Sequence, residues 1–332
     1  MAPNLVLLLA LGGARVPPAA PMTLVGTPAP AGVIVVVGAP GSPEYGELFG
    51  AWAERWERAA ARAALASERV GPGAADGPEN DRERLAALVS SAASGADALW
   101  IVFLGHGTFD GESAKLNLRG PDVSARELAV WLEPVERPTA VVVCAAASGP
   151  FVSELSRAGR IVVTATKSGH EYSYARFGEH LSTALTDPAA DLDKDDQVSL
   201  LEAFLFASAG VEEFYAGAAR LATEHALLDD NGDGLGTPAS WFRGVRATRT
   251  PEAGRLADGV RAQRLCLVPS ARERALPEAL RRERDALELA VEELRARKGE
   301  LEERAYYELL EPLMVELARL WARAEEPAEE GR

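Results

Sequence analysis

Cysteine is nearly absent: among 332 residues only Cys144 and Cys266 occur. That excludes a disulfide framework and a cysteine-rich zinc site, and leaves room for at most one bridge between the two. Basic residues are also short, 35 Lys and Arg against 50 Asp and Glu, for a formal net charge of −15. Such a field repels a nucleic-acid backbone or an anionic membrane surface and suits divalent cations better. The one markedly apolar N-terminal run, Leu5 to Ala10, falls well short of the roughly 20 residues that a membrane span needs.

What remains is an ordinary globular composition, 47% hydrophobic and 26% charged, enough for one large domain and an accessory segment. Residues 1–30 combine the short apolar core with a Pro/Ala-rich stretch and resemble a secretory signal and linker, which implies a secreted or periplasmic protein. The expected organisation then runs 31–243 as the main domain, 244–275 as a linker and 276–326 as a helical hairpin.

Four apolar runs read as buried strands: Gly32–Gly38, Leu99–Leu104, Ala140–Val143 and Ile161–Thr166. They are rich in β-branched residues and too apolar to have a wet face, as in a parallel sheet covered on both sides. Helical periodicity fills the gaps, with Leu48, Trp52 and Trp56 at spacing four within 45–69 and a capping box, Ser124 to Glu127, opening the next helix. Further helices are expected over 198–209 and 211–227, broken at Gly210. The alternation predicts an α/β fold, a three-layer α/β/α sandwich with a mainly parallel sheet. From Leu276 onward, Leu280, Leu287 and Leu294 recur every seven residues until Lys298-Gly299 interrupts. The spacing predicts a C-terminal α-helical hairpin, 277–297 packed on 302–323.

Two of the strands end in reactive side chains. Leu99-Trp-Ile-Val-Phe-Leu-Gly-His-Gly107 delivers His106, and Ala140-Val-Val-Val-Cys144 delivers Cys144. Parallel sheets gather their chemistry at the carboxyl ends of the strands, so an imidazole and a thiol are expected on one edge. A thiol needs a basic or cationic neighbour to become a useful thiolate, and imidazole is suited to passing that proton on at neutral pH.

An apolar strand ending in His-Gly followed by one ending in Cys resembles the cysteine peptidases typified by legumain and the caspases. The segment Arg160-Ile-Val-Val-Thr-Ala-Thr-Lys-Ser-Gly-His-Glu-Tyr-Ser-Tyr-Ala175 is similar to the legumain stretch after its cysteine. The resemblance spans about 33–185. It implies His106 as the general base or acid, Cys144 as the nucleophile, and the backbone N–H groups of Gly107 and Cys144 as the oxyanion hole. Two departures accompany it. Legumains carry Cys-Glu-Ser-Gly where this chain has Cys144-Ala-Ala-Ala-Ser-Gly149, and Gly46 stands where their pocket arginine follows the tyrosine corresponding to Tyr45. Asparaginyl specificity therefore does not carry over.

Two acidic stretches suggest calcium. Asp191, Asp193, Asp195, Gln197, Ser199 and Glu202 fall on the ligand positions of a twelve-residue calcium loop, with Asp196 where glycine is usual. The same residues also allow a plain capping box, Ser199 to Glu202. Asp229, Asn231 and Asp233 form a weaker loop with no closing carboxylate, and His225 beside it reads as structural. The resulting expectation is a cysteine endopeptidase acting on a protein or peptide substrate, with no cofactor for catalysis and calcium as a stabiliser. Two alternatives stand: a catalytically silent caspase-like scaffold that binds a protein partner through the C-terminal helices, and a Cys-dependent transamidase.

Overall fold

The β-branched runs form the middle of a seven-stranded sheet in a computed structural model that describes residues 31–74, 80–95, 97–249 and 256–325. The signal-like segment expected over 1–30 lies outside the described residues. In chain order the elements are β1 (Val33–Val37), α1 (Pro43–Arg62), β2 (Ser67–Val70), α2 (Asp81–Ser91), β3 (Leu99–Leu104), β4 (Gly107–Phe109), β5 (Ala114–Leu116), β6 (Val123–Ser124), α3 (Ala125–Trp131), β7 (Thr139–Cys144), α4 (Pro150–Leu155), β8 (Arg160–Thr164) and α5 (Phe177–Ala184). They continue with α6 (Leu200–Gly217), β9 (Leu227–Asp229), β10 (Thr237–Pro238), α7 (Ala271–Ala275), α8 (Glu278–Ala296) and α9 (Glu303–Glu325).

The sheet order is β10-β9-β8-β7-β3-β1-β2. Its first five strands by sequence, β1, β2, β3, β7 and β8, pair in parallel, and β9 and β10 extend it antiparallel. Alternate residues of each strand feed opposite cores, because side chains in a strand alternate between faces. Val33, Val35 and Val37 pack with Trp52, Trp56 and Phe177 under α1, α5 and α6. Ile34 and Val36 pack with Leu85, Leu128 and Phe151 under α2, α3 and α4. Two helical layers thus cover the mostly parallel sheet, as the sequence pattern implies.

Helix α1 shows why the sequence folds this way. Ser42 caps it by accepting the N–H of Tyr45, Pro43 occupies the first turn, and Phe49, Trp52, Ala53, Trp56 and Ala60 recur at three- and four-residue spacing on the buried face. Burying each large side chain there contributes about 1.5–3 kcal/mol.

Three expectations are corrected. The helix expected over 45–69 ends at Arg62, and Ser67–Val70 forms the edge strand β2, whose mostly exposed Ser-Glu-Arg pattern carries no buried-strand signal. Helix α6 runs through Gly210 without a break, because a Cβ there would lie 2.5 Å from the His180 ring; the glycine allows α5 and α6 to approach closely. Residues 218–226 are not helical, and the chain re-enters the sheet as β9. The expected hairpin is present: α8 and α9 turn at Lys298–Glu300, and Arg323 reaches Glu283 across the pair at 2.5 Å. No helix among the described residues is long and apolar enough to cross a membrane.

Gly178 opens α5 against the sheet, where an added Cβ would come within 2.8 Å of both the Cys144 Cβ and the Trp52 ring. Gly178→Ala is expected to destabilise the protein by about 1–3 kcal/mol through this overpacking, read as a lowered midpoint in urea unfolding. An unchanged midpoint would mean that α1, α5 and β7 do not meet this tightly.

Candidate functional site

The carboxyl edge of the sheet is set by the pairing of β3 with β7. Six consecutive pairs run from Leu99 beside Thr139 to Leu104 beside Cys144. Continuing that register carries His106 to Ala146, two residues past Cys144. The two chains stay close past the last pair, since a Cβ on Gly107 would lie 2.3 Å from the Ala146 carbonyl oxygen.

Cys144 thus lies within the ladder rather than past its end, and the extended register sets Ala146 level with His106. Cys144 has no solvent exposure and packs in the α1/α5 core with Trp52 and Phe177. Its backbone is part of the ladder, with the carbonyl accepting the Gly105 N–H. Burial pushes the thiol pKa far up, and the nearby Glu224 carboxylate pushes it further. Both act against a thiolate, the reverse of what activates a cysteine. No hydrogen bond joins Cys144 to His106 among the described residues. Both cysteines are free thiols.

His106 has other partners. Its Nε2 lies 3.2 Å from the Pro40 carbonyl oxygen, which fixes a proton on that nitrogen. Its ring meets Tyr45 edge-on at 4.7 Å and Phe49 at 5.2 Å between centroids. Tyr174 completes the aromatic wall 6.3 Å away.

After Ala146 the chain makes a locked elbow. Ala147 adopts φ +54°, uncommon for a residue with a Cβ, and donates its N–H to the Glu171 carbonyl at 2.8 Å. Ser148, fully buried, shares a hydrogen bond with the Thr166 hydroxyl at 3.1 Å and accepts the Thr166 N–H at 3.2 Å. Gly149 is required because a Cβ would lie 2.3 Å from the Ser168 nitrogen.

Two glutamates escaped sequence reasoning. Glu171 ties the loop after β8 to the one before β9 by accepting the His225 N–H and contacting its Nδ1 at 2.5 Å, so His225 is structural. Buried Glu224 accepts the N–H groups of Arg176 and Phe177 at the start of α5. Their partners lie about 50 residues away in the chain, a separation at which no local spacing signals a pair.

Three of the residues of the first calcium donor set come together. The carboxylate oxygens of Asp191, Asp193 and Asp195 lie within 4.8 Å of one another. Glu202, expected to close the loop, is instead buried with both oxygens engaged. One accepts the N–H groups of Leu192 and Asp193, and the other the N–H and hydroxyl of Ser199. Ser199 returns the contact to the Glu202 N–H at 3.2 Å, so this is the capping box. Gln197 spans Asp195 and the Ser270 N–H. In the second loop, Asp229 accepts the N–H groups of Gly232 and Gly234, Asn231 that of Asp233, and Asp233 that of Leu235. These are turn-forming bonds of Asx type.

Beside this loop, a buried carboxylate exchange fastens residues 258–262 to the sheet. Asp258 accepts the N–H groups of Asp230 and Asn231 and the Thr237 hydroxyl, while Asp230 accepts those of Gly259, Arg261 and Ala262. No protein-family profile matches the chain, and no curated protein is significantly similar to it.

Burial pushes Asp230 up to about 6 and Asp258 to about 7, above the ordinary carboxylate value of 3.8. The native state therefore holds protons that the unfolded chain has released, and stability falls as pH rises from about 4 through 7. Thermal melts are expected to give a higher Tm at pH 5 than at pH 8. Asp258→Asn keeps an acceptor for the two N–H groups and offers an N–H to Thr237, so it should flatten that slope; a slope unchanged in this variant would assign it to other groups.

Proposed function

We propose that this chain is a catalytically silent α/β module of the caspase–legumain type that works by binding. The observation that carries this reading is the register that ends with Leu104 beside Cys144; extended by two residues it sets Ala146, which has no nucleophile, level with His106. The parallel sheet with His106 after β3 and a tight elbow after β7 supports the likeness to caspases and legumain. The endopeptidase and transamidase readings both need a thiolate on that edge, and the complete burial of Cys144 speaks against both. Orientation of His106 by Pro40, Tyr45 and Phe49 is consistent with an edge kept in shape without a reaction to perform.

Ala146→Cys tests the reading by adding a thiol where the register calls for one. Iodoacetamide should alkylate the new cysteine much faster than Cys144. His106→Ala in that background should slow that alkylation. Cys144 of the parent protein should react only on unfolding. Rapid alkylation of Cys144 in the folded parent protein would overturn the reading.

A further inference from the structure

The turn after β9 reads Asp229-Asp-Asn-Gly-Asp-Gly234. Its Asn231-Gly232 pair exposes a side-chain amide to attack by the next backbone nitrogen, because glycine sets no Cβ beside that nitrogen. Gly232 has φ +79°, and a Cβ on it would lie 2.8 Å from the Ala158 nitrogen, so the fold itself asks for glycine here. Ala158 precedes β8, which puts the turn at the edge of the sheet opposite His106. What the turn does is therefore independent of the silent-site reading.

Hydrogen bonds hold both reacting groups. The Asn231 Nδ2 donates to the Leu256 carbonyl at 3.1 Å and to Asp233 Oδ2 at 3.2 Å, and its Oδ1 accepts the Asp233 N–H at 2.8 Å. The Gly232 N–H is donated to Asp229 Oδ1 at 3.0 Å. Leu256 begins a strap, residues 256–262, that Asp230 and Asp258 fasten to the turn. Beyond it the chain continues to α7 and the hairpin.

We propose that Asn231 is a self-modification site whose deamidation unfastens this strap. The Gly232 nitrogen attacks the Asn231 Cγ; the N–Cγ bond forms, the Cγ–Nδ2 bond breaks, and the proton lost by the nitrogen balances the one that Nδ2 gains as it leaves as ammonia. Water then opens the cyclic imide to aspartate or isoaspartate, and nothing is oxidised or reduced. The product does not suit the place of its parent. Both partners of Nδ2, the Leu256 carbonyl and the Asp233 carboxylate, are acceptors, so a carboxylate oxygen there meets oxygen on two sides with no proton between. It also adds a negative charge beside Asp229, Asp230 and Asp233. While the strap is fastened, its hold on the amide opposes ring closure, so the native turn reacts only as fast as it opens locally.

The test incubates the purified full chain at neutral pH in a chelating buffer, beside a synthetic peptide of residues 227–237, and follows the mass gain at Asn231 as its amide becomes an acid. The folded chain should deamidate at least about tenfold more slowly than the peptide, because the turn must open first. Asp258→Ala should raise the rate. So should the milder Thr237→Val, which removes only the hydroxyl that Asp258 accepts at 2.6 Å. The aged protein and Asn231→Asp should both melt at a lower temperature than the parent and be cut faster by trypsin at Arg261, within the strap. Deamidation of the folded chain at the peptide's rate, or a rate unmoved in both variants, would overturn the proposal. So would an aged protein that keeps the parent's melt and its resistance at Arg261.

Discussion

Parallel pairing of β3 with β7 sets Leu104 beside Cys144 through six successive residue pairs, and a parallel ladder allows no half-step between registers. Shifting one strand by a single residue would turn its apolar set to the opposite face. Here both faces are covered, so a slip would place Val142 and Cys144 in the wrong core. The consequence reaches the sheet edge. His106 leaves the sheet two residues after Leu104, and its counterpart is two residues after Cys144, at Ala146.

The helices above the edge depend on the same register. Cys144, small and apolar in its packing, lets Gly178 bring α5 down onto Trp52. Glu224 then neutralises the exposed N–H groups at the start of α5 from within the protein, a favourable place for a carboxylate beside a helix N-terminus. That same carboxylate disfavours a thiolate on Cys144. Packing and electrostatics agree: this cysteine is built as a core residue.

Much of the fold is legible in the sequence. The β-branched runs mark the central strands, the spacing of Trp52 and Trp56 marks α1, although the expected Leu48 is exposed and Phe49 is buried in its place, and the heptad leucines with Lys298-Gly299 mark the hairpin. Strand β2 is not legible because an edge strand needs no apolar alternation, and the uninterrupted α6 is not because Gly210 answers to His180 on another helix. The site was only partly legible. His106 and Cys144 each end an apolar run, but their offset follows from where two strands begin to pair. Both paired segments have six residues, Leu99–Leu104 and Thr139–Cys144, so equal lengths held the clue to the two-residue shift. The acidic loops matched a ligand pattern by spacing alone, and the competing use of Glu202 and Asp229 by backbone N–H groups depends on three-dimensional placement.

The most direct measurement is cleavage of a diverse peptide library by the purified protein alongside its Cys144→Ala variant, with products read by mass spectrometry. A silent edge yields no fragments beyond those of the variant. Fragments made by the parent protein and absent from Cys144→Ala would contradict the assignment of Cys144 to the core and restore it as a nucleophile.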